Sequence, residues 1–234
     1  MKLHALVFDL FGTLVEDFIA SFDPAADAEF PAALGLPYDL FMPHWRQIID
    51  RRTIGEFQTV EASIEHVCRL IGVTVTPKQM SKAVEIRLRI TRQALRPKPD
   101  TIATLRKLRQ DGFKIGLLSN CSIEIPIVWP ETALTELFDA AIFSSRERIK
   151  KPDPGIYQLA CERLGVVPEA CFYVADGENF ELTAAAKIGM RPVLIRNPSR
   201  NNDKALLREA REWRGTTVSA LSELVILTDS ATAT

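Results

Sequence analysis

Short, unbroken apolar runs constrain this chain more than any other feature. They lie at residues 3–8, 114–118, 172–174 and 191–195, with a weaker one at 140–143. Each is rich in Val, Ile, Leu or Phe and is followed by polar or glycine residues. A run without polar alternation reads as a strand covered on both faces. Helical patterns sit between the runs. "DTIATLRKLRQD" (100–111) starts at an expected N-cap, Asp100, and stops at Gly112. "DPGIYQLACERL" (153–164) has Pro154 at its first helical position and ends at Gly165. A third helix, 181–188, ends at Gly189. Strands alternating with helices through short connections predict a parallel sheet with right-handed crossovers.

Residues 16–97 break this rhythm. "VEASIEHVCRLI" (60–71) and 77–95 read as helices, the second capped by Thr76 with Pro77 in its first turn. A further helix is expected at 44–52, and no strand alternates with them. The expected architecture is therefore α/β: a Rossmann-like three-layer α/β/α core with a parallel sheet at 1–15 and 98–234, plus an inserted helical cap domain at 16–97. Hinges are expected near 15–17 and 96–99. The polar tail "TDSATAT" is expected to fray.

Charge narrows the function classes. With 29 basic and 30 acidic residues, no net field attracts nucleic acid or an anionic membrane. No apolar run approaches a membrane span. The N-terminal "MKLHALVFDLFGTLV" is interrupted by Asp9 and Gly12 and lacks a cleavage pattern, so it reads as a strand and the expected location is cytoplasmic. The four cysteines are scattered, which fits reduced, packed thiols; Cys121 is expected to be a small filler residue.

In an open parallel sheet, reactive groups gather at the carboxyl ends of strands. Those ends offer Asp9, Gly12 and Thr13, then Ser119 and Asn120, then Lys150 and Lys151, then Asp176 with Glu181 five residues on. Carboxylates, hydroxyls and a lysine on one rim suit an anionic substrate held with a hard cation such as Mg²⁺, which takes oxygen ligands. Taken singly, each residue also fits a plain strand-to-loop turn.

"DLFGTL", "LLSNCS", "KKPDPGIY" and "YVADGENFELTAAAKIGM" together resemble the four ordered motifs of the haloacid dehalogenase-like hydrolase superfamily. The resemblance spans nearly the whole chain, and the insert falls where that superfamily carries its helical C1-type cap. It implies Asp9 as a nucleophile that forms an aspartyl intermediate. Ser119 would hydrogen-bond the transferred group, helped by backbone N–H groups near Gly12 and Asn120. Thr13 is counted with the catalytic residues, capping or bracing of the loop being its plain alternative. Lys151 would balance charge. Asp9, the Phe11 carbonyl, Asp176 and Glu181 would hold Mg²⁺. The implied substrate is a small molecule and the implied assembly a monomer or homodimer.

Phe11 departs from the pattern. Most phosphatases of the superfamily carry a second aspartate there, which protonates the leaving oxygen and then activates water. The 2-haloacid dehalogenases instead carry an aromatic, because halide departs without a proton. Those enzymes, however, work without a metal and have Ser and Asn types where this chain has Asp176 and Glu181. The retained carboxylates favour a Mg²⁺-dependent phosphohydrolase acting on good leaving groups. A dehalogenase and a non-catalytic phosphate-binding relative remain the alternatives. In the insert, "HWRQIIDRRTIGEF" offers Arg46, Arg51 and Arg52 as anion contacts, with Arg46 chosen among them, or else as residues of a solvated helix face, the better reading for any one of them. Trp129 in "IPIVWP" is a candidate pocket wall, or else packing.

Overall fold

The computed structural model describes residues 2–16, 24–196 and 208–232. Its strands are β1 (Ala5–Phe8), β2 (Lys114–Ser119), β3 (Ala140–Phe143), β4 (Cys171–Ala175), β5 (Arg191–Ile195) and β6 (Thr217–Val218). They form one sheet of order β3-β2-β1-β4-β5-β6, every neighbouring pair parallel. All five expected strands form, with ends shifted by at most two residues. The sixth, β6, was not expected. Two residues carry no periodic signal; β6 is a strand only because Thr217 and Val218 pair with Leu194 and Ile195 at the sheet edge.

The helices are α1 (Pro24–Ala33), α2 (Tyr38–Gln47), α3 (Ile49–Thr53), α4 (Val60–Leu70) and α5 (Pro77–Ala94) in the insert. In the core they are α6 (Thr101–Gln110), α7 (Glu124–Val128), α8 (Ser144–Glu147), α9 (Pro154–Leu164), α10 (Glu181–Lys187), α11 (Arg208–Glu212) and α12 (Glu223–Thr232). Alternate residues of β1 face opposite ways. Leu6 and Phe8 pack with Leu105, Leu108 and Leu117 under α6, while Ala5 and Val7 pack with Ile156, Tyr157 and Leu182 under α9 and α10. Both sheet faces are apolar, which is why the strands read as unbroken runs.

Among the described residues, the insert carries five helices, no strand and its own core of Phe30, Phe41, Trp45, Ile64, Val67 and Ile90. Thr76 and Gln79 form the capping box of α5. The helix expected at 44–52 is two helices, broken at Ile48 (φ −89°, ψ 11°). The second piece, α3, turns onto the core so closely that a Cβ at Gly55 would lie 1.9 Å from the Ser145 carbonyl oxygen. The two connections to the insert run side by side: Val15 bridges Pro97, and Lys98 N donates to Leu14 O at 3.0 Å. Asp17, at the edge of one expected hinge, lies outside the described residues.

Two local expectations are corrected. Asp100 does not cap α6: its backbone is already helical, and its Oδ2 accepts from Ser222 N at 3.4 Å. The tail expected to fray is helical to Thr232, with Thr228 buried; 233–234 lie outside the described residues. Among the described residues, no helix is long and apolar enough to cross a membrane.

Candidate active site

Strand order builds the site. The chain winds outward from β1 through β2 to β3, then crosses to β4 on the other side of β1. Such a reversal opens a crevice at the carboxyl ends of the two strands it separates. Asp9 leaves β1 there and Asp176 leaves β4, with Asp9 N donating to Val174 O at 2.9 Å. After Asp9 the chain turns back through Gly12, whose φ of 77° suits glycine. The turn is closed by Leu14 N donating to Leu10 O at 2.9 Å, and Lys98 Nζ donates to Gly12 O at 2.5 Å.

Lys151 is the hub. Its buried ammonium donates to Asp9 Oδ1 at 2.5 Å, Glu181 Oε2 at 2.6 Å and Tyr173 OH at 3.1 Å. Tyr173 in turn donates to Glu181 Oε2 at 2.7 Å. The side chain of Asn120 clamps the Lys151 backbone from both sides, accepting from its N–H at 2.8 Å and donating to its carbonyl at 3.0 Å. Lys150 points elsewhere and pairs with Asp50 of α3 at 2.6 Å. The Lys151–Pro152 peptide is cis.

Asp9, Asp176 and Glu181 each offer a carboxylate oxygen, and these lie within 4.8 Å of one another; all three residues are buried. Glu178 N donates to Asp176 Oδ1 at 3.3 Å and Glu181 Oε1 at 3.1 Å, tying the carboxylates to one loop. That loop is wound tightly: Asn179 (φ 54°) and Phe180 (φ 58°) both sit in the left-handed region, which costs a non-glycine residue roughly 1–2 kcal/mol each. From the far side, Glu209 of α11 accepts from Leu182 N at 3.0 Å and Thr183 N at 2.6 Å, holding the start of α10.

Burial pushes the Glu181 carboxyl up to about 7, although Lys151 pulls the other way. Burial alone would lower Lys151, but Asp9 and Glu181 outweigh it and hold the ammonium well above its ordinary value. Burial raises Tyr173 strongly, so it stays a neutral hydroxyl. Three carboxylates around one ammonium are the right hard-oxygen donor set for a divalent cation such as Mg²⁺.

Thr13 and Ser119 are fully buried, and neither hydroxyl has a strong hydrogen-bond partner. Ser119 lies against the Cys121 thiol, a weak partner; burial raises that thiol to about 12, so Cys121 is inert filler. Phe11 is half-buried and packs on the core under α6. Trp129 is buried edge-on against Phe138 and Phe143 in the same core. The Arg46 side chain is 59% exposed and pairs with Asp27 and Tyr38 inside the insert. The buried arginines at the insert's contact with the core are Arg52 and Arg87, which meet Glu124.

Asp9, Lys151, Glu181, Asp176 and Asn120 are thus brought together, while Arg46 and Trp129 are engaged in other contacts. Sequence reasoning missed Tyr173. A signal was present: it is the one hydroxyl in the run "CFYVA", and a buried tyrosine hydroxyl needs a partner. Arg87 and Glu124 gave no comparable signal, because each reads as an ordinary charged helix residue.

A model of the haloacid dehalogenase-like hydrolases matches residues 3–189. The chain is 30% identical over 200 residues to (S)-2-haloacid dehalogenase 4A of Burkholderia cepacia, covering 83% of each chain. It is 35% identical over 130 residues to a glyceraldehyde 3-phosphate phosphatase of Methanopyrus kandleri, covering 55% of each. Its fold matches that of a HAD phosphatase from Thermococcus onnurineus with a TM-score of 0.66 at 24% identity, covering 96% of this chain and 97% of the other. The motif order, the sheet and these likenesses agree: the chain belongs to the haloacid dehalogenase-like hydrolases.

Proposed function

We propose that this hydrolase is a Mg²⁺-dependent phosphohydrolase acting on small phosphorylated metabolites with good leaving groups. The observation that carries this is the charge count at the rim. Asp9, Asp176 and Glu181 lie within 4.8 Å of one another and Lys151 is bonded to two of them; with Glu181 pushed up to about 7, one to two negative charges are left in excess near neutral pH. Mg²⁺ held by Asp9, Asp176 and Glu181 would offset that charge and polarise the phosphoryl oxygens. Either substrate is an anion, but a dehalogenase of this superfamily works without that cation, so a 2-haloacid carboxylate would meet the excess charge without a cation to offset it.

Asp9 attacks phosphorus with one carboxylate oxygen. The bond from phosphorus to the leaving oxygen breaks, and its electron pair departs with that oxygen. Water then attacks phosphorus of the aspartyl phosphate. The bond from phosphorus to the Asp9 oxygen breaks, its electron pair restores the Asp9 carboxylate, and both protons of the water leave on the released phosphate, which exchanges them with solvent. Lys151 holds Asp9 in place and balances its charge. Ser119 and the backbone N–H groups near Gly12 and Asn120 bind the phosphoryl oxygens, with Thr13 bracing the turn. The Asn120 amide is already spent on Lys151, so its part in binding falls to its backbone. Phe11 offers no proton, so the leaving group must depart as an anion. Acyl and aryl phosphates meet that need; alkyl phosphates lose the roughly 10²–10⁴-fold help of a general acid. The helical insert at 16–97 serves as the cap that excludes water.

Dehalogenation is the second reading, favoured by Phe11 and by the dehalogenase relative. Paired screens decide between them: acetyl and p-nitrophenyl phosphate on one side, 2-chloropropionate on the other, each with and without Mg²⁺. Phosphate release that requires Mg²⁺ supports the proposal. Halide release that ignores Mg²⁺ overturns it.

A further inference from the structure

Outside the Asp9 site, one cluster of buried charges joins the insert to the core. Arg52 of α3 donates to Glu124 Oε1 at 2.5 Å and to Ser122 Oγ at 3.1 Å. Arg87 of α5 reaches the same Glu124 oxygen at 3.3 Å. Arg52, Arg87 and Glu124 are 4%, 2% and 1% exposed. Two guanidinium groups against one carboxylate leave one surplus positive charge, and Arg52 Nε, Arg87 Nε and Glu124 Oε2 have no hydrogen-bond partner. The Trp45 ring face, 3.8 Å from the Arg52 guanidinium carbon, offsets part of that surplus.

A buried, imperfectly matched ion cluster is a poor device for stability alone. What it joins is more informative. Ser122 and Glu124 continue the segment that carries Ser119 and Asn120 out of β2. A second bridge runs from the same helix to the same segment: Ser144 Oγ donates to Thr53 O at 2.7 Å and accepts from Cys121 N at 2.9 Å. Two consecutive residues of α3, Arg52 and Thr53, thus hold three of the four residues 121–124.

We propose that Arg52 is a positioning residue: seating α3 on the core sets the 119–124 segment, so the Ser119 hydroxyl stands at the site only when the insert is closed. This rests on the hydrolase reading above for its kinetic consequence and on geometry alone for its structural one. When a site is competent for only a fraction of the time, apparent affinity falls by that fraction while the saturated rate is kept.

Charge counting selects the variant. Arg52→Met leaves Arg87 and Glu124 as a neutral pair, whereas Glu124→Gln leaves two buried cations. Arg52→Met and Ser122→Ala are therefore compared with the native full-length protein in two measurements. Hydrogen exchange is expected to rise about tenfold at amides 119–122 in Arg52→Met, less in Ser122→Ala, and not at all in β4 and β5. With acetyl phosphate and Mg²⁺, KM is expected to rise about tenfold in Arg52→Met with kcat within about twofold. Unchanged exchange at 119–122, or an equal rise throughout the sheet, overturns the proposal, as does a fall in kcat at constant KM. If Arg52→Met does not fold, Ser122→Ala decides by the same criteria. If the native protein turns over no acetyl phosphate, the functional reading fails and the exchange result alone decides this one.

Discussion

Tyr173 touches both charges that surround Asp9. Its hydroxyl accepts from Lys151 and donates to Glu181, so one oxygen links the ammonium to the carboxylate. A hydrogen bond to a charged group contributes roughly 1.5–3 kcal/mol. Tyr173→Phe keeps the ring and its packing on Tyr157 but takes one hydrogen bond each from Lys151 and Glu181, so Tm should fall by about 3–12 °C and kcat/KM for acetyl phosphate by about 10- to 100-fold. Steady-state kinetics beside a thermal melt separate the two effects. Phe11→Asp tests the missing acid. It should raise alkyl-phosphate turnover by about 10²–10⁴-fold and acyl-phosphate turnover far less. Should alkyl-phosphate turnover stay flat while Asp9→Asn abolishes all activity, the leaving-group explanation is wrong.

At the scale of elements, α10 depends on α11. Glu209 receives the Leu182 and Thr183 N–H groups, which a helix cannot pair internally, and puts negative charge at the positive end of the helix. α10 begins at Glu181, so this contact also steadies a carboxylate of the site. Glu209→Ala should cost about 1–2 kcal/mol, lowering Tm by about 2–8 °C for a chain of this size. Scanning calorimetry checks this, and an unchanged Tm would mean that water caps α10 equally well. Local elements were largely legible because their signals are local. Thr76 and Gln79 cap α5, and Asp153 caps α9 by accepting from Gly155 N at 2.8 Å. Asp100 looked equally good and fails, because its backbone is already helical there and a cap needs an extended one.

At the scale of the whole molecule, acid should weaken the joint between insert and sheet below about pH 4.5. Burial works to raise Glu124, but Arg52 and Arg87 outweigh it and hold its carboxyl down to about 2, against 4.5 unfolded. A carboxyl depressed on folding stabilises the fold above its unfolded pKa, and that stability is lost as pH falls. The contribution, of order 3 kcal/mol, should be whole above about pH 4.5 and gone near pH 2. Denaturant midpoints measured across this range should fall in the native protein. Glu124→Gln should be less stable at neutral pH and lose less on acidification; a native midpoint independent of pH would remove Glu124 from the account.

The sequence alone determined which side chains stand at strand ends. Asp9, Ser119 and Asp176 each follow an apolar run, and where a buried strand stops is encoded within a few neighbouring residues. The sequence also showed helical patterns, without strands, between the first two strands, where α1–α5 lie, and marked Phe11 as incapable of proton transfer, since that follows from residue type. The tertiary structure decided which charges meet. Lys151 reaches Asp9 across 142 positions, and Arg52 reaches Glu124 across 72. It likewise placed Trp129 in the core and tied Arg46 to Asp27. Periodicity sets the face of an element but not the partner of a long, flexible side chain. That partner depends on strand order, on the break at Ile48 and on which lone pairs the packed neighbours leave open.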